Sequence, residues 1–275
     1  MGFFFASVVE TFSLSRRLHR VVLHVPGLDR LGLPDCADAA VGIYFPTTGP
    51  ETTAPQGRTY TVRHCDSTTN QITVDFVLHG RGVGTDWLSQ AAPGDRVTLA
   101  HPNSWYRPSS ASDFQLLVAD LAGLPALARI VDELSPESRA VAIVEVIDRS
   151  DLDYLPARPN VSVVNSVGTG NGVAESVLAE LVADQHCSDD RSYGWVGAEA
   201  SQTRAIRKYL RTERGWGPEQ LDVLGYWRRH SEHWDARYEQ VGPELFAVYQ
   251  RALAEGKTEK AAREEFDAAL ERAGL

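Results

Sequence analysis

One six-residue segment combines side chains suited to a phosphate-bearing ring compound: Arg58-Thr-Tyr60-Thr61-Val-Arg63. Residues two apart on an extended strand share a face, so Arg58 and Tyr60 are expected on one side. Thr61 and Arg63 are expected on the other side or at the strand edge. A guanidinium is a forked donor for a pyrophosphate, a phenol ring is a flat surface for a ring system, and a hydroxyl can reach a ring nitrogen. Taken alone, an ordinary barrel strand with exposed arginines explains the segment at least as well.

A second segment follows His79-Gly80 and reads Gly82-Val-Gly84-Thr85-Asp-Trp87. Two glycines before a Thr that would cap a helix let the backbone approach a ligand, and a helix start directs free N–H groups at a phosphate. A hairpin loop is the alternative interpretation of this segment. The two segments lie about twenty residues apart, and together they indicate a binding site more strongly than either does alone.

Up to about residue 110 the chain consists of short apolar or alternating runs broken by Gly, Pro, Asp and Asn. This spacing predicts a small antiparallel barrel or sandwich. A single helix is predicted there, over residues 86–92. The runs that predict strands are residues 20–25, 41–45, 59–63, 71–78 and 95–99.

From residue 113 the pattern alternates between strand and helix, which is typical of a parallel sheet in an α/β domain. Strands are predicted at residues 114–119, 140–147, 161–164, 195–196 and 221–224. Helices are predicted at residues 124–134, 173–182 and 203–212. The chain is therefore expected to contain a barrel domain at 8–110, an α/β domain at 113–230 and a helical extension at 231–275.

In that extension Pro243 suits a first helical turn, Gly256 ends the helix, and Thr258 begins another. His230 and His233 share a spacing that one helical face could present, but nothing nearby completes a metal set, so no metal site is expected.

Composition limits the class of protein. Of the 275 residues 43% are hydrophobic and 23% charged, as in a globular protein with a proper core. A net charge of −10 argues against a nucleic-acid partner, because phosphate neutralisation needs a basic surface. Three scattered cysteines form no disulfide framework, and no apolar run reaches the ~20 residues of a membrane helix. These features predict a cytoplasmic protein without membrane insertion.

Taken in order, the motifs resemble those of the siderophore-interacting family of FAD-dependent ferric-siderophore reductases, over about residues 10 to 230. Both segments above match the family pattern. The remaining matches are Leu14-Ser-Arg-Arg-Leu-His-Arg20, Pro93-Gly94-Asp95, Ala119-Asp120-Leu-Ala-Gly-Leu124-Pro125-Ala126, Glu199 with Arg204 and Arg207, and Gly225-Tyr226-Trp227-Arg228.

The resemblance implies a function for the two segments. Arg58 and Arg63 would neutralise the FAD phosphates, Tyr60 would pack on the isoalloxazine, and Thr61 would reach its N5 region. The backbone of residues 82–85 would hold the pyrophosphate. Further cofactor contacts implied by the resemblance are Asp75, His79, Gly82, Val83, Gly84, Thr85, Trp87, Asp120 and Trp227.

By the same resemblance, the α/β domain would bring NADH or NADPH against the flavin, which would reduce a ferric siderophore for iron acquisition. The flavin does the chemistry, so no catalytic side chain and no protein-bound metal are expected. The acidic Glu145 and Asp148 would repel a 2′-phosphate, which weakly favours NADH over NADPH. An ordinary exposed strand end is at least as good an interpretation of these two residues.

Three departures from the family pattern fall in the nucleotide half: Leu121-Ala122, Asn165-Ser166 and Gly197-Ala198 before Glu199. They leave two alternatives open. One is a flavin-bearing siderophore-binding protein with weak or lost nucleotide use. The other is a general NAD(P)H:flavin electron donor that serves another oxidoreductase.

Overall fold

The computed structural model describes residues 2–46, 57–79, 82–186, 191–229 and 231–275. Its first part is a closed six-stranded barrel with the strand order β1-β2-β5-β4-β3-β6, in which all six neighbouring pairs are antiparallel. The predicted barrel is thus confirmed. Its strands are β1 (Phe4–Ser13), β2 (Leu18–His24), β3 (Ala40–Tyr44), β4 (Gly57–Asp66), β5 (Gln71–Val77) and β6 (Arg96–Asn103).

Strand β1 was not predicted from the sequence, although it closes the barrel by pairing with both β2 and β6. Its inward positions include Ala6 and Val8, which are buried. Its outward positions also carry apolar side chains, because Phe5 and Val9 are exposed. Apolar residues on both faces hide the two-residue period that identifies a half-buried strand.

The second part is a five-stranded sheet with the order β11-β10-β7-β8-β9, and β7 lies parallel to both β8 and β10. The predicted α/β architecture is therefore confirmed. Residues 116–119 of β7 are fully buried, as expected of a central strand covered on both faces. The strands are β7 (Phe114–Ala119), β8 (Arg139–Val146), β9 (Val161–Val167), β10 (Ser192–Glu199) and β11 (Leu221–Trp227).

Five α-helices and two 3₁₀ turns connect these strands in the described residues. The helix predicted at 86–92 spans residues 83–88 instead, and the one predicted at 173–182 begins only at Leu178. Three glycines with positive φ, Gly168, Gly170 and Gly172, lie in the loop before it. The helices are α1 (Leu28–Leu31), α2 (Val83–Leu88), α3 (Leu124–Glu133), α4 (Leu178–Ala183) and α5 (Ala200–Thr212), and the 3₁₀ turns are Arg149–Tyr154 and Pro218–Gln220.

Contacts divide the chain into two compact units, Met1–Tyr226 and Trp227–Leu275. The second unit contains α6 (Ser231–Ala254) packed on α7 (Glu259–Arg272). Pro243 lies inside α6, so the prediction that it opens a helix was wrong; the helix continues through it and forgoes one backbone hydrogen bond. Thr258 caps α7 as predicted, with its hydroxyl accepting from the Ala261 N–H at 3.2 Å.

A buried carboxylate, Asp38, joins the barrel to the sheet within the first unit. Its oxygens accept from the Trp105 N–H at 3.0 Å and the Tyr106 N–H at 2.8 Å, just after the last barrel strand. The Trp195 indole N–H on β10 donates to the same group at 3.1 Å, and the Cys36 thiol approaches it at 3.5 Å. Asp38 is fully buried, so these donors replace its water shell.

We expect Asp38→Asn to lower the free energy of unfolding by about 1–3 kcal/mol, because an amide NH₂ would face backbone donors that need an acceptor. Asp38→Ala should cost more, since all the donors then lose their partner. Urea unfolding followed by tryptophan fluorescence would measure both changes. Asp153→Asn, at an exposed position, is the matched control. Equal unfolding midpoints for Asp38→Asn and the control would show that Asp38 does not hold the two parts together.

Candidate functional site

Tyr60 on β4 belongs to an aromatic cluster at one end of the barrel. Its ring centroid lies 4.4 Å from that of Phe76 and 6.1 Å from that of Phe45. Phe45 in turn lies 5.0 Å from Trp87 of α2. Burial raises the pKa of Tyr60 to about 12, so its hydroxyl stays protonated at physiological pH. The predicted residues Tyr60 and Trp87 are thus brought together on one rigid aromatic wall.

The start of α2 lies directly against this wall. A Cβ at Gly84 would come within 1.9 Å of the Tyr60 hydroxyl, so only glycine allows this approach. Gly82 takes the N-cap position with φ of 156° and no side-chain cap. Val83 is the first helical residue and Thr85 lies inside the helix, so the expectation that Thr85 caps it was wrong. Because Gly82 and Gly84 have no side chains, the backbone of residues 82–85 is uncovered at these two positions.

Two predicted residues beside this loop are exposed. Within the described residues, the Arg58 guanidinium donates only to the neighbouring Gly57 carbonyl, at 2.8 Å. His79 is also exposed, and its ring lies 3.0 Å from the position of a Cβ at Gly82. Gly80, part of the same motif, lies outside the described residues. An exposed guanidinium with one local carbonyl partner keeps donors available for a phosphate group.

Arg63 points out of the barrel toward α3, as the two-residue period predicted. Its guanidinium forms an ion pair with Asp132 and lies over the Tyr154 ring, 6.0 Å from the centroid. The Arg63 Nε is buried and has no hydrogen-bond partner among the described residues. Arg63 is thus partly committed to the junction between barrel and sheet, with one donor still unused.

Asp75, a predicted cofactor contact, is buried in a second ion pair. Both its oxygens accept from Arg20 at 2.7 Å, and the Tyr154 hydroxyl donates to one of them. The hydrogen bonding of Arg20 to the Asp75 carboxylate, in which Arg20 is the donor, is the main cause that raises the pKa of Arg20. Asp75 therefore holds Arg20 and Tyr154 in place, and its contact with a cofactor stays a prediction.

Thr61 and Tyr226 meet where the barrel faces the end of β11. Thr61 is buried, and the Tyr226 hydroxyl is buried without a hydrogen-bond partner among the described residues. Burial raises the pKa of Tyr226, the charge of Asp38 raises it further, and the nearby Thr61 hydroxyl lowers it. The Tyr226 ring meets Trp195 edge to face, with 6.2 Å between centroids. Two buried hydroxyls and an aromatic ring thus converge at this junction.

Sequence reasoning missed Tyr226 and chose its neighbour Trp227, which is half-buried at the end of β11. A usable signal was present. Leu224 and Tyr226 are two apart on a strand, and both pack on the core cluster that contains Trp195. Strand alternation therefore places Tyr226 on the face that the Gly-Tyr-Trp-Arg motif presents to this core.

Asp120 organises the carboxyl ends of β7 and β10, where the strand order of the sheet reverses. One oxygen accepts from the Ala122 and Gly123 N–H groups at 2.9 and 3.2 Å, and the other from the Glu199 N–H at 2.9 Å. A Cβ at Gly123 would lie 2.0 Å from the Gly197 carbonyl. Ligands of open α/β sheets bind in the crevice at this reversal point.

The departures from the family pattern differ in their surroundings. Leu121 is buried and its N–H donates to the Asn171 side chain at 2.9 Å, whereas Asn165 is exposed. Glu199 caps α5 by accepting from the Ser201 N–H at 2.6 Å. Arg204 on α5 is half-buried. Leu121 thus serves packing where the pattern has a polar group.

Glu145 is not an exposed strand end, so that alternative was wrong. It is buried and accepts from the Thr169 hydroxyl at 2.9 Å and the Val177 N–H at 2.8 Å. Asp148 is paired with Arg17 at 2.5 Å. The preference for NADH rested on these two carboxylates as free charges, and their partners remove that basis.

These features fit a flavin nucleotide. The Tyr60 hydroxyl occupies the space where a side chain at position 84 would lie. The Arg58 guanidinium has N–H donors left for a phosphate. The buried Arg63 Nε and Tyr226 hydroxyl lack hydrogen-bond partners in the described residues. Within those residues there is no cluster of three or more potential metal ligands. No helix there is long and apolar enough to cross a membrane.

Five tyrosines, of which Tyr193 is buried and the others are half-buried, predict that the protein loses stability in alkali. Burial is the main cause that raises the pKa of each, to about 12 for Tyr60 and Tyr106, and Tyr154, Tyr193 and Tyr226 shift the same way. The folded state retains these protons after the unfolded state has lost them, so the stabilisation is complete below pH 10 and is lost above it.

Unfolding free energies and phenolate absorbance measured from about pH 9 to 12 would test this, because these tyrosines should titrate only as the chain unfolds. Titration of these five tyrosines near pH 10 in the folded protein would contradict the prediction.

Two family models match the chain. The model described as Siderophore-interacting FAD-binding domain matches residues 47–106. The model described as Siderophore-interacting protein matches residues 112–230. The first match covers β4, β5, α2 and β6, and the second covers all five strands of the parallel sheet up to Trp227.

Among curated relatives, an uncharacterized protein of Mycobacterium tuberculosis is 31% identical over 91% of this chain and 95% of its own length. The ferric vibriobactin reductase of Vibrio cholerae is 25% identical over 78% of this chain and 86% of its own length. The NADPH-dependent ferric-chelate reductase of Escherichia coli is 28% identical over 65% of this chain and 68% of its own length.

The solved structure of a siderophore-interacting protein from Acinetobacter baumannii has the same fold, with a TM-score of 0.76 at 20% identity over 89% of this chain and 99% of that one. The barrel with its aromatic wall, the parallel sheet and both family models point to one assignment. The chain belongs to the siderophore-interacting protein family and carries that family's FAD-binding domain.

Proposed function

We propose that the protein is an NAD(P)H-dependent flavoenzyme that reduces ferric siderophores and releases Fe(II). One observation carries this proposal: β4, with the FAD-type segment, contacts helix α3, which follows β7, and its Thr61 lies beside Tyr226 near the carboxyl end of β11. A flavin on the barrel and a pyridine nucleotide in the crevice would therefore meet beside Thr61 and Tyr226. The similarity to the named ferric reductases supports the same reaction.

The proposed division of labour follows the two halves. Residues 8–110 hold FAD, residues 113–230 hold NAD(P)H, and residues 231–275 form a helical extension. Within the barrel, Arg58 neutralises phosphate charge, and Arg63 adds the donor that lacks a partner. Tyr60 packs on the isoalloxazine, and the Thr61 hydroxyl faces its N5 region. The backbone of residues 82–85 follows the pyrophosphate.

Other residues are proposed to complete the cofactor sites. Trp87 supports the aromatic wall, and His79 lies beside Gly82. Asp120 shapes the crevice through its backbone partners. The remaining proposed contacts are Asp75 and Trp227.

When bound, the flavin accepts a hydride from NAD(P)H and passes electrons singly, so one NAD(P)H reduces two Fe(III) and leaves NAD(P)⁺ and a proton. The protein's own residues position the cofactors and exclude water. Thr61 and Tyr226 present hydroxyls that are shielded from water, and the aromatic wall keeps the barrel side dry. Fe(II) binds all-oxygen siderophores more weakly than Fe(III), so reduction frees the metal, in our proposal within the cytoplasm.

Anaerobic flavin reduction tests this function directly. The protein is loaded with FAD, then NADH or NADPH is added, and flavin absorbance is followed before a ferric siderophore and an Fe(II) chelator are supplied. We expect bleaching by a nucleotide, recovery on adding the siderophore, and Fe(II) trapped by the chelator.

Other outcomes identify the alternatives. Bound flavin that neither nucleotide bleaches, together with siderophore binding, would replace the proposal with a siderophore-binding flavoprotein. Bleaching without recovery on ferric siderophores, but with recovery on other acceptors, would indicate a general electron donor.

The contact between Gly84 and Tyr60 gives a second test. We expect Gly84→Ala to raise the dissociation constant of FAD at least about tenfold, because the new methyl group collides with the Tyr60 hydroxyl and displaces the loop. In the double variant with Tyr60→Phe the nearest ring atom would lie 3.1 Å away, so part of the affinity should return. Flavin fluorescence titration would measure this. A double variant no better than Gly84→Ala, judged against Tyr60→Phe alone, would refute the collision.

A further inference from the structure

Helix α3 contacts β4 at the segment that carries the FAD-type motif. The Arg129 guanidinium donates from Nη1 to the Val62 carbonyl at 2.7 Å and from Nε to Glu133 at 2.6 Å. One turn further along the helix, Asp132 pairs with Arg63. The Arg129 side chain is only 8% exposed, although it is an arginine. Two residues of one helix therefore contact two consecutive residues of β4.

This contact coincides with an irregularity in the strand. β4 pairs with β3 up to Thr61 and with β5 from Val62 onward, and its register against β5 shifts between Val62 and His64. The Val62 N–H donates to the Ala39 carbonyl at 2.8 Å. The Val62 carbonyl, on the same residue, accepts from the Arg129 guanidinium. A buried charged donor at a bulge fixes the strand where ladder bonds alone leave it free to shift.

The other end of α3 lies at the nucleotide crevice. Gly123 precedes the helix and sits so close to the Gly197 carbonyl that a Cβ would come within 2.0 Å. One short rigid helix thus touches the reversal point of the sheet at its start and β4 near its end. The distance between the two proposed cofactor sites is set along this helix.

We propose that Arg129 is a positioning residue for electron transfer: it holds residues 61–63 of β4 in register against the nucleotide half. This inference rests on the proposed function. Arg129 touches neither cofactor in this proposal and acts through Val62. Lysine cannot replace it fully, because its single nitrogen cannot serve the Val62 carbonyl and Glu133 from two fixed N–H directions.

The test compares Arg129→Met and Arg129→Lys with Arg158→Met. Arg158 donates to the Asp132 and Leu134 carbonyls at 3.1 and 2.9 Å, so its removal also frees carbonyls at the end of α3. It breaks no hydrogen bond to β4 among the described residues. Each FAD-loaded protein is measured for thermal unfolding, visible circular dichroism of the bound flavin, and the anaerobic rate of flavin reduction at saturating NADPH or NADH.

We expect Arg129→Met to slow flavin reduction at least about tenfold and to change the flavin dichroism, since displacements near 1 Å can cost about a hundredfold in rate. Arg129→Lys should restore part of the rate and also covers the case in which Arg129→Met does not fold. Arg158→Met should lose stability without either change. Equal rates and spectra in all folded variants would overturn the positioning role.

Failure of the proposed function gives a different pattern. If the unaltered protein binds flavin that no nucleotide reduces, the function fails, and the dichroism of the Arg129 variants still decides the positioning role. If the unaltered protein binds no flavin, both proposals are overturned.

Discussion

The arrangement of the site depends on one buried carboxylate. Asp38 is fully desolvated, and no salt-bridge partner for it is recorded among the described residues, so its charge is balanced by backbone, indole and thiol donors. Those donors come from the end of the barrel and from the central part of the sheet. A buried anion satisfied in this way tolerates little displacement, because losing any donor leaves unpaired charge. The two halves are therefore registered to each other by electrostatics as well as by apolar packing.

Around that anchor the chemistry is divided between rigid elements. The aromatic wall beneath Tyr60 belongs to the barrel, the Asp120 loop belongs to the sheet, and Tyr226 meets Thr61 where the two come together. None of these groups needs unusual reactivity, because a bound flavin supplies the redox chemistry. The protein sets the distances between the bound groups, excludes water from them and supplies charged side chains. This explains why its informative residues are aromatic rings, glycines and guanidiniums.

Much of the architecture could be predicted, because barrel strands and buried parallel strands leave periodic patterns that survive in one sequence. Strand β1 escaped prediction since its outward face is also apolar. Tyr226 was passed over for Trp227, as a motif does not say which face of its strand meets the core. The role of Arg129 was not accessible either, because its acceptor is a backbone carbonyl 67 positions away and carries no sequence signal.

The change of partner along β4 has a consequence for how this family can vary. Thr61 ends one ladder and Val62 begins another, one facing the junction and the other the barrel core. A single-residue deletion or insertion here would exchange those faces. It would move a threonine hydroxyl into the apolar core of the barrel and a valine side chain toward the junction. A substitution at this point changes one side chain and leaves the strand faces as they are, whereas a change in length exchanges the faces of the whole segment. Natural length variation should therefore accumulate in the flanking loops and spare residues 58–63.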